Sequence, residues 1–94
     1  MGFYRWDVSK NDRLIHERGV SFEEVLAAIE QGRLLDVLGN PNRGKYGHQK
    51  IFVVEIGGYV YVVPFVESGD EIFLKTIIPS RKLTRMYLKG DKES

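Results

Sequence analysis

The alternation of apolar and polar residues along the chain predicts three helices and five strands. Strands are predicted at 3–6, 33–38, 51–56, 59–66 and 71–78, where short runs are rich in β-branched and aromatic residues. Helices are predicted at 8–18, between Ser21 and Gly32, and at 81–89. The order β-α-α-β-β-β-β-α separates the helices from the run of strands. It predicts an α+β fold, a small antiparallel β-sheet with two N-terminal helices and a C-terminal helix.

The second helix carries the clearest local signals. Ser21 and Glu24 have the spacing of a capping box, in which each side chain satisfies a free backbone amide of the first turn. Gly32 supplies the left-handed residue at which many helices end. For the first helix, Asp7 is the predicted cap and Gly19 the stop. The apolar stripe of the second helix comprises Phe22, Val25, Leu26 and Ile29.

The two longest apolar runs are separated only by Gly57-Gly58, which predicts an antiparallel hairpin with a tight turn. Counting back from the turn, Ile56 faces Tyr59 and Ile51 faces Pro64. Because proline cannot donate to a ladder, Pro64 conflicts with a central strand. The register places it at the end of the first pairing, where a bulge or a strand end would absorb it.

The last strand and helix are separated by Pro79, which ends the strand, and Ser80, which caps the helix. Leu83, Met86 and Tyr87 are predicted to face the sheet. Both faces of 59–66 are largely apolar, so we expect the helices on one face and a partner on the other. Residues 1–90 are predicted to form a single domain, with 91–94 as a frayed tail.

Composition adds limits to this interpretation. The chain has 94 residues, no cysteine, and 14 basic against 13 acidic side chains. Disulfides and cysteine-based metal sites are therefore excluded, and the absence of a targeting segment favours the cytoplasm. The total charge of +1 excludes only a protein that is basic throughout. By segment, however, 39–50 and 76–94 each carry a net +3, enough to attract an anionic partner locally.

The first basic segment is a glycine-rich loop that combines cations, an aromatic ring and an imidazole. In such a loop Arg43, Lys45 and Lys50 would meet phosphates, while Tyr46 would stack on a base. His48 would move protons near neutral pH. The pattern favours an RNA partner, and the alternative is a solvated hairpin loop without function.

The second basic segment begins the last helix, where free amides and the helix dipole already favour an anion. Arg81 and Arg85 share one side of this helix, Lys82 lies beside them, and Lys75 on the preceding strand is expected to point to the same side. Basic residues at a helix start oppose the dipole unless an anion is bound. The chain has no phosphate-binding glycine loop, zinc-ligand cluster or nucleophile elbow, and the acidic turn at 67–71 is typical of a solvated hairpin tip.

Several short motifs follow one another along the chain. Trp6-Asp7 and Lys10-Asn11 are followed by Gly19-Val20-Ser21-Phe22-Glu23-Glu24, and the chain ends with a Gly69-Asp70 turn, a strand and Ile77-Ile78-Pro79-Ser80-Arg81-Lys82-Leu83-Thr84. This order resembles the BrnT-like toxins of bacterial type II toxin–antitoxin systems. Their opening has the form W-D-x-x-K-x-x-x-N and K-H-G-[IV]-x-F-E-E-A, and their end I-I-S-A-R-x-A-[ST].

The resemblance implies a small RelE-like fold and an endoribonuclease that cuts RNA without a metal or other cofactor. It also implies a cognate antitoxin of the ribbon-helix-helix type, bound in a hetero-oligomer or alongside a toxin homodimer. Arg81 matches the arginine of the family's S-A-R end and is the first candidate to bind the scissile phosphate. The expected catalytic residues are Arg81, Lys75, His48 and Tyr46, and the expected RNA-binding residues are Arg43, Lys45, Lys50, Lys82 and Arg85. The alternative is a non-catalytic RNA- or protein-binding module of the same fold.

Overall fold

The computed structural model describes residues 3–39 and 49–88, which form an α+β domain with three helices and a six-stranded sheet. The helices are α1 (Val8–Arg18), α2 (Phe22–Glu30) and α3 (Arg81–Leu88). The strands are β1 (Phe3–Arg5), β2 (Leu34–Gly39), β3 (Gln49–Ile56), β4 (Tyr59–Ser68), β5 (Glu71–Leu74) and β6 (Ile78–Pro79). None of the helices formed by these residues is long and apolar enough to cross a membrane. The predicted tail at 91–94 lies outside the described residues.

The sheet is mixed, where the pattern predicted an antiparallel one. Its strand order is β1-β5-β4-β3-β2, with β6 paired to β4 beside β5. β1 runs parallel to β5, and every other pairing is antiparallel. A three-residue strand at the N-terminus has no local turn that would dictate its direction, so only packing beside β5 decides it.

The β3–β4 hairpin forms as predicted. Gly57 and Gly58 have φ angles of 60° and 82°, the positive values that a two-residue hairpin turn of this type requires. Ile56 pairs with Tyr59 and Ile51 with Pro64, which confirms the predicted register. The pairing continues past Pro64 to Gln49 and Val66, so the proline is not at its end.

Pro64 is instead accommodated on the opposite edge of β4. Its carbonyl oxygen accepts a hydrogen bond from the Lys75 amide at 2.8 Å. Because the amide and carbonyl of one strand residue point to the same side, the missing amide of Pro64 faces away from β3. β5 ends at Leu74, and the chain returns to β4 only at Ile78. The single strand predicted at 71–78 is therefore two strands, divided where proline cannot donate.

The main core lies between one face of the sheet, here called the helical face, and the helices α1 and α2. Trp6 stacks on Phe22 with ring centroids 5.5 Å apart, and Phe52 stacks on Phe65 at 3.9 Å. The predicted apolar stripe of α2 is confirmed, because Phe22 and Val25 are buried here and Leu26 and Ile29 pack against them. The buried residues of this cluster are Leu14, Val20, Phe22, Val25, Ala28, Phe52, Val54, Val63, Phe65, Leu74 and Ile77.

The opposite side of the sheet is called the α3 face, because α3 packs against β4 there. Val60 and Val53 are buried although they alternate with the core residues, so this face is covered around them. The expectation that the helices all lie on one face is therefore wrong. Of the residues predicted to face the sheet, Leu83 is half-buried and Tyr87 reaches Asp36 of β2 with its hydroxyl. The prediction for Met86 is wrong, since this side chain is 52% exposed. Thr84, only 5% exposed, occupies that position instead, because its hydroxyl finds polar partners on β4.

The predicted ends of α1 and α2 are confirmed. Asp7 accepts hydrogen bonds from the amides of Ser9 and Lys10, and Gly19 ends α1 in the left-handed region. Ser21 and Glu24 form the capping box with both reciprocal hydrogen bonds. Both signals involve residues within one turn of each other, and tertiary packing leaves them intact.

Asn11 joins the two N-terminal helices and, with Thr84, is one of two buried polar residues in the described part of the chain. Its Oδ1 accepts from the amide of Phe22 at 2.8 Å, and its Nδ2 donates to Glu23 Oε1 at 2.9 Å. The Phe22 amide belongs to the first turn of α2 and has no partner within that helix. The hydrogen bond from Asn11 is the main reason that the pKa of Glu23 lies below its ordinary value.

Replacing Asn11 by alanine is expected to lower the free energy of unfolding by about 1–3 kcal/mol, because the buried Phe22 amide loses the one acceptor that it has among the described residues. It should also raise the pKa of Glu23. A carboxyl group with a depressed folded pKa stabilises the fold above its unfolded pKa, and this contribution disappears as pH falls through the folded pKa. Urea unfolding and carboxyl titration by NMR measure both effects. An unchanged Glu23 titration in a destabilised Asn11→Ala would contradict the assigned contact.

Candidate nucleic-acid interface

The start of α3 is held on β4 by a short set of hydrogen bonds. The Ser80 amide donates to the Val60 carbonyl at 2.9 Å, so the cap residue continues the ladder made by β6. Ser80 Oγ accepts from the Leu83 amide at 3.1 Å, which confirms Ser80 as the helix cap. The first turn of α3 is therefore positioned by the backbone of a central strand.

Thr84 completes this attachment one turn later. Its Oγ1 accepts from the Val60 amide at 2.8 Å and donates to the Ser80 carbonyl at 2.7 Å. Both backbone groups of the buried Val60 are thus satisfied by the start of α3. Sequence reasoning missed this residue, although a threonine four positions after a helix cap, among charged neighbours, is a signal for a polar anchor.

Three cations project from this fixed turn. Arg81, Lys82 and Arg85 are exposed, and none of them forms an ion pair with another described residue. At 100° per residue, Arg81 and Arg85 lie on one flank of α3, while Leu83 and Tyr87 lie on the other. The arrangement agrees with the predicted sharing of one side by the two arginines.

Lys75 lies along the same edge of β4. The Lys75 amide bonds to Pro64 and the Ser80 amide to Val60, so the two attachment points are four residues apart on β4. At about 3.3 Å per residue, the separation is about 13 Å. Lys75 lies opposite Pro64, one position beyond the end of β5, and side chains alternate between the two faces along this segment. The Lys75 side chain is therefore on the α3 face. We refer to Lys75, Arg81, Lys82 and Arg85 together as the basic surface.

Arg18 holds the segment that connects Lys75 to this helix. Its guanidinium Nη1 donates to the carbonyl oxygen of Ile77, while the Ile77 side chain is fully buried in the core. The end of α1 thus positions the connection between β5 and β6. No local pattern indicates this contact, because 59 positions separate the two residues.

Lys50 does not join the basic surface. It pairs with Phe65, whose side chain belongs to the helical face, so Lys50 lies on the side of the sheet opposite α3. Its Nζ is 3.1 Å from Glu67 Oε1, and Glu71 is paired with Arg5 in the same way. Two of the acids of the predicted solvated turn therefore form exposed ion pairs.

The other predicted site residues, Arg43, Lys45, Tyr46 and His48, lie outside the described residues. Within 3–39 and 49–88 there is one histidine, His16, whose Nδ1 lies 2.9 Å from the Asp12 carbonyl oxygen on α1. The described part of the site therefore supplies positive charge and hydrogen-bond donors. These groups can bind a phosphate and stabilise developing negative charge on it.

A cleft of about 270 Å³ opens between α2 and the β3–β4 turn, lined in part by Glu24, Arg33 and Glu55. Both carboxylates are occupied, Glu24 in the capping box and Glu55 by the Gly58 amide at 3.0 Å. In the described ranges no three histidine or acidic side chains come together in a way that could hold a metal ion.

Comparison with known proteins identifies no relative. No family model, no curated protein and no solved structure matches the chain.

Proposed function

We propose that the chain is the toxin of a type II toxin–antitoxin system, a BrnT-like, RelE-like endoribonuclease that cuts RNA without a metal. The observation that supports this most directly is the basic surface. Arg81, Lys82 and Arg85 project from a helix start that β4 holds in place, and they lack acidic partners among the described residues. Concentrated positive charge of this kind binds a phosphate backbone. The order of motifs along the chain supplies the remaining support.

The proposed reaction is attack by a ribose 2′-hydroxyl on the adjacent phosphorus. The 2′-oxygen forms a bond to phosphorus, the bond to the 5′-oxygen breaks, and a cyclic phosphate and a free 5′-hydroxyl result. One group takes the proton of the 2′-hydroxyl, and another gives a proton to the leaving oxygen. In the proposal Arg81 and Lys75 stabilise the phosphate charge, and His48 or Tyr46 moves the protons. Lys82 and Arg85 hold the flanking backbone, with Arg43 and Lys45 as further RNA contacts; Lys50, on the opposite face and paired with Glu67, is left out of the proposed site.

The proposed partner is an antitoxin of the ribbon-helix-helix type, and the proposed location is the cytoplasm. Part of the α3 face supports a protein partner, because Phe3, Phe73 and Ile78 expose large apolar side chains there. Large apolar side chains exposed together on one face are typical of an interface. Co-expression with the product of a short neighbouring gene is expected to relieve growth inhibition by the chain.

A second function is a non-catalytic RNA- or protein-binding module. It would use the same basic surface, in which Arg81, Lys82 and Arg85 are exposed, to bind RNA or a protein partner. A module of this kind would bind RNA with strong salt dependence and leave it intact.

Incubation of the purified chain with end-labelled RNA in EDTA separates the two functions. The toxin is expected to produce fragments that end in a 2′,3′-cyclic phosphate, at a rate that EDTA does not change. Retention of intact RNA that is lost at high salt would favour the module. If the chain neither cleaves nor binds RNA, and its induction leaves growth unaffected, the toxin and the RNA-binding module are both contradicted.

A further inference from the structure

The β2 strand forms one side of the described sheet, with β3 as its only neighbour. Its six residues, Leu34–Gly39, include a single charged side chain, Asp36, and no lysine or proline. Edge strands of natural proteins commonly carry lysine, other charged residues or proline, because an uncharged edge is a template for pairing with another strand. β2 therefore needs some other protection against pairing.

The register shows which backbone groups β2 directs outward. On β4 the Val60 and Pro64 groups bond to residues on the side away from β3, so those of Val63 point toward β3. Phe52 is paired with Val63, so its amide and carbonyl also point to β4. Val37 lies opposite Phe52 on β2 and therefore makes no ladder hydrogen bond to β3. The amide and carbonyl of Val37 thus point away from the sheet, at the middle of the edge.

The Asp36 side chain accepts a hydrogen bond from that outward amide. Its Oδ1 accepts from the Val37 amide at 2.8 Å, and its Oδ2 accepts from the Tyr87 hydroxyl at 3.3 Å. Burial and the nearby Asp36 charge raise the pKa of Tyr87, so its hydroxyl remains a donor. One carboxylate therefore satisfies the donor at the centre of β2 and places a negative charge beside it.

We propose that the Asp36 carboxylate closes the β2 edge, and that without this carboxylate the edge pairs with β2 of a second copy of this chain. The side chains around it are those of an interface, since Val37 and Leu38 are 47% and 40% exposed on opposite faces of β2. Tyr87 lies against the same edge through its contact with Asp36.

A second copy fits this edge because the strand is complementary to itself. Antiparallel pairing about Val37 places the two Val37 residues opposite each other, where both outward amides and carbonyls exchange hydrogen bonds. β-Branched pairs of this kind stabilise a sheet. Asp36 opposes the pairing because it lies opposite Leu38 of the other copy and already holds the Val37 amide. Without its carboxylate, β2 has no charge.

Replacing Asp36 by alanine is therefore expected to convert a monomer into a dimer. Sedimentation of the full chain should show a doubling of the weight-average mass with rising concentration for Asp36→Ala, and no increase for the wild type. Exchange of the Val37 amide should be fast in dilute Asp36→Ala and slow in the dimer. Glu30→Ala, which removes an exposed carboxylate from α2, should remain monomeric.

Two further variants identify the surface. Asp36→Ala/Val37→Lys should return to the monomer, because like charges would face each other across the pair. Tyr87→Phe should also stay monomeric, since it leaves the contact with the Val37 amide in place. A wild-type dimer, a monomeric Asp36→Ala that is folded by circular dichroism, or a dimer that Val37→Lys does not disrupt would overturn the proposal.

Discussion

Replacement of Arg81 by alanine is expected to abolish growth inhibition and to slow RNA cleavage by about 10²–10³-fold, while the protein stays folded. Arg81 is the first residue of α3 and directly follows Ser80, the cap that bonds to Val60. The backbone that carries the Arg81 side chain is therefore held in place. The side chain is exposed and makes no ion pair with other described residues, so its loss should cost little stability. The loss should therefore appear in cleavage and not in unfolding.

Two controls accompany Arg81→Ala. Arg81→Lys keeps the charge but loses the planar fork that matches a phosphate, so an intermediate rate is expected. Arg13→Ala removes an exposed arginine from α1, which packs on the helical face, and should leave cleavage unchanged. Full toxicity of Arg81→Ala at equal expression would contradict the assignment of this residue to the phosphate. An equal loss in Arg13→Ala would show that total charge, not position, matters.

Replacement of Thr84 by valine is expected to lower the free energy of unfolding by about 1–3 kcal/mol. The two side chains have nearly the same shape, so packing changes little. However, the buried Val60 amide loses the Oγ1 atom that accepts from it, and no other acceptor among the described residues replaces it. Urea unfolding measures the loss, and native-state hydrogen exchange should show the Val60 amide newly exposed.

Thr84→Ser is the matched control, because it keeps the hydroxyl and removes only the methyl group. It should lose about 1 kcal/mol from reduced burial, while the Val60 amide remains protected. Rapid exchange of Val60 in Thr84→Ser, or full protection in Thr84→Val, would contradict the role of this hydroxyl. The same loosening of α3 in Thr84→Val is expected to reduce any activity that depends on Arg81.

Caps and turns were the features that local sequence predicted best. Asp7, Ser21 with Glu24, Ser80 and Gly57-Gly58 all act as expected. Each signal involves residues within a few positions of one another, and the backbone geometry that it requires forms without help from distant residues. The hairpin register followed for the same reason, because a two-residue turn determines which residues face each other.

Local sequence patterns predicted the candidate site only in part. The pattern brought Arg81, Lys82 and Arg85 together correctly, because helical spacing determines which residues share a flank. It could not separate Lys50 from them, since the face on which Lys50 lies depends on the pairing of β3 with β4. It also missed the positioning contacts of Arg18 with Ile77 and of Thr84 with Val60.

The amino-acid sequence by itself determined the helices, their caps, the central hairpin and the position of two basic segments. These depend on periodicity and on interactions between near neighbours. Only the tertiary structure decided that β1 runs parallel to β5, that β5 and β6 share one edge of β4, and that Thr84 rather than Met86 faces the sheet. The hydrogen bonds of β1 with β5, of β6 with β4 and of Thr84 with Val60 join residues far apart in the chain. Local sequence patterns therefore do not distinguish these arrangements from their alternatives.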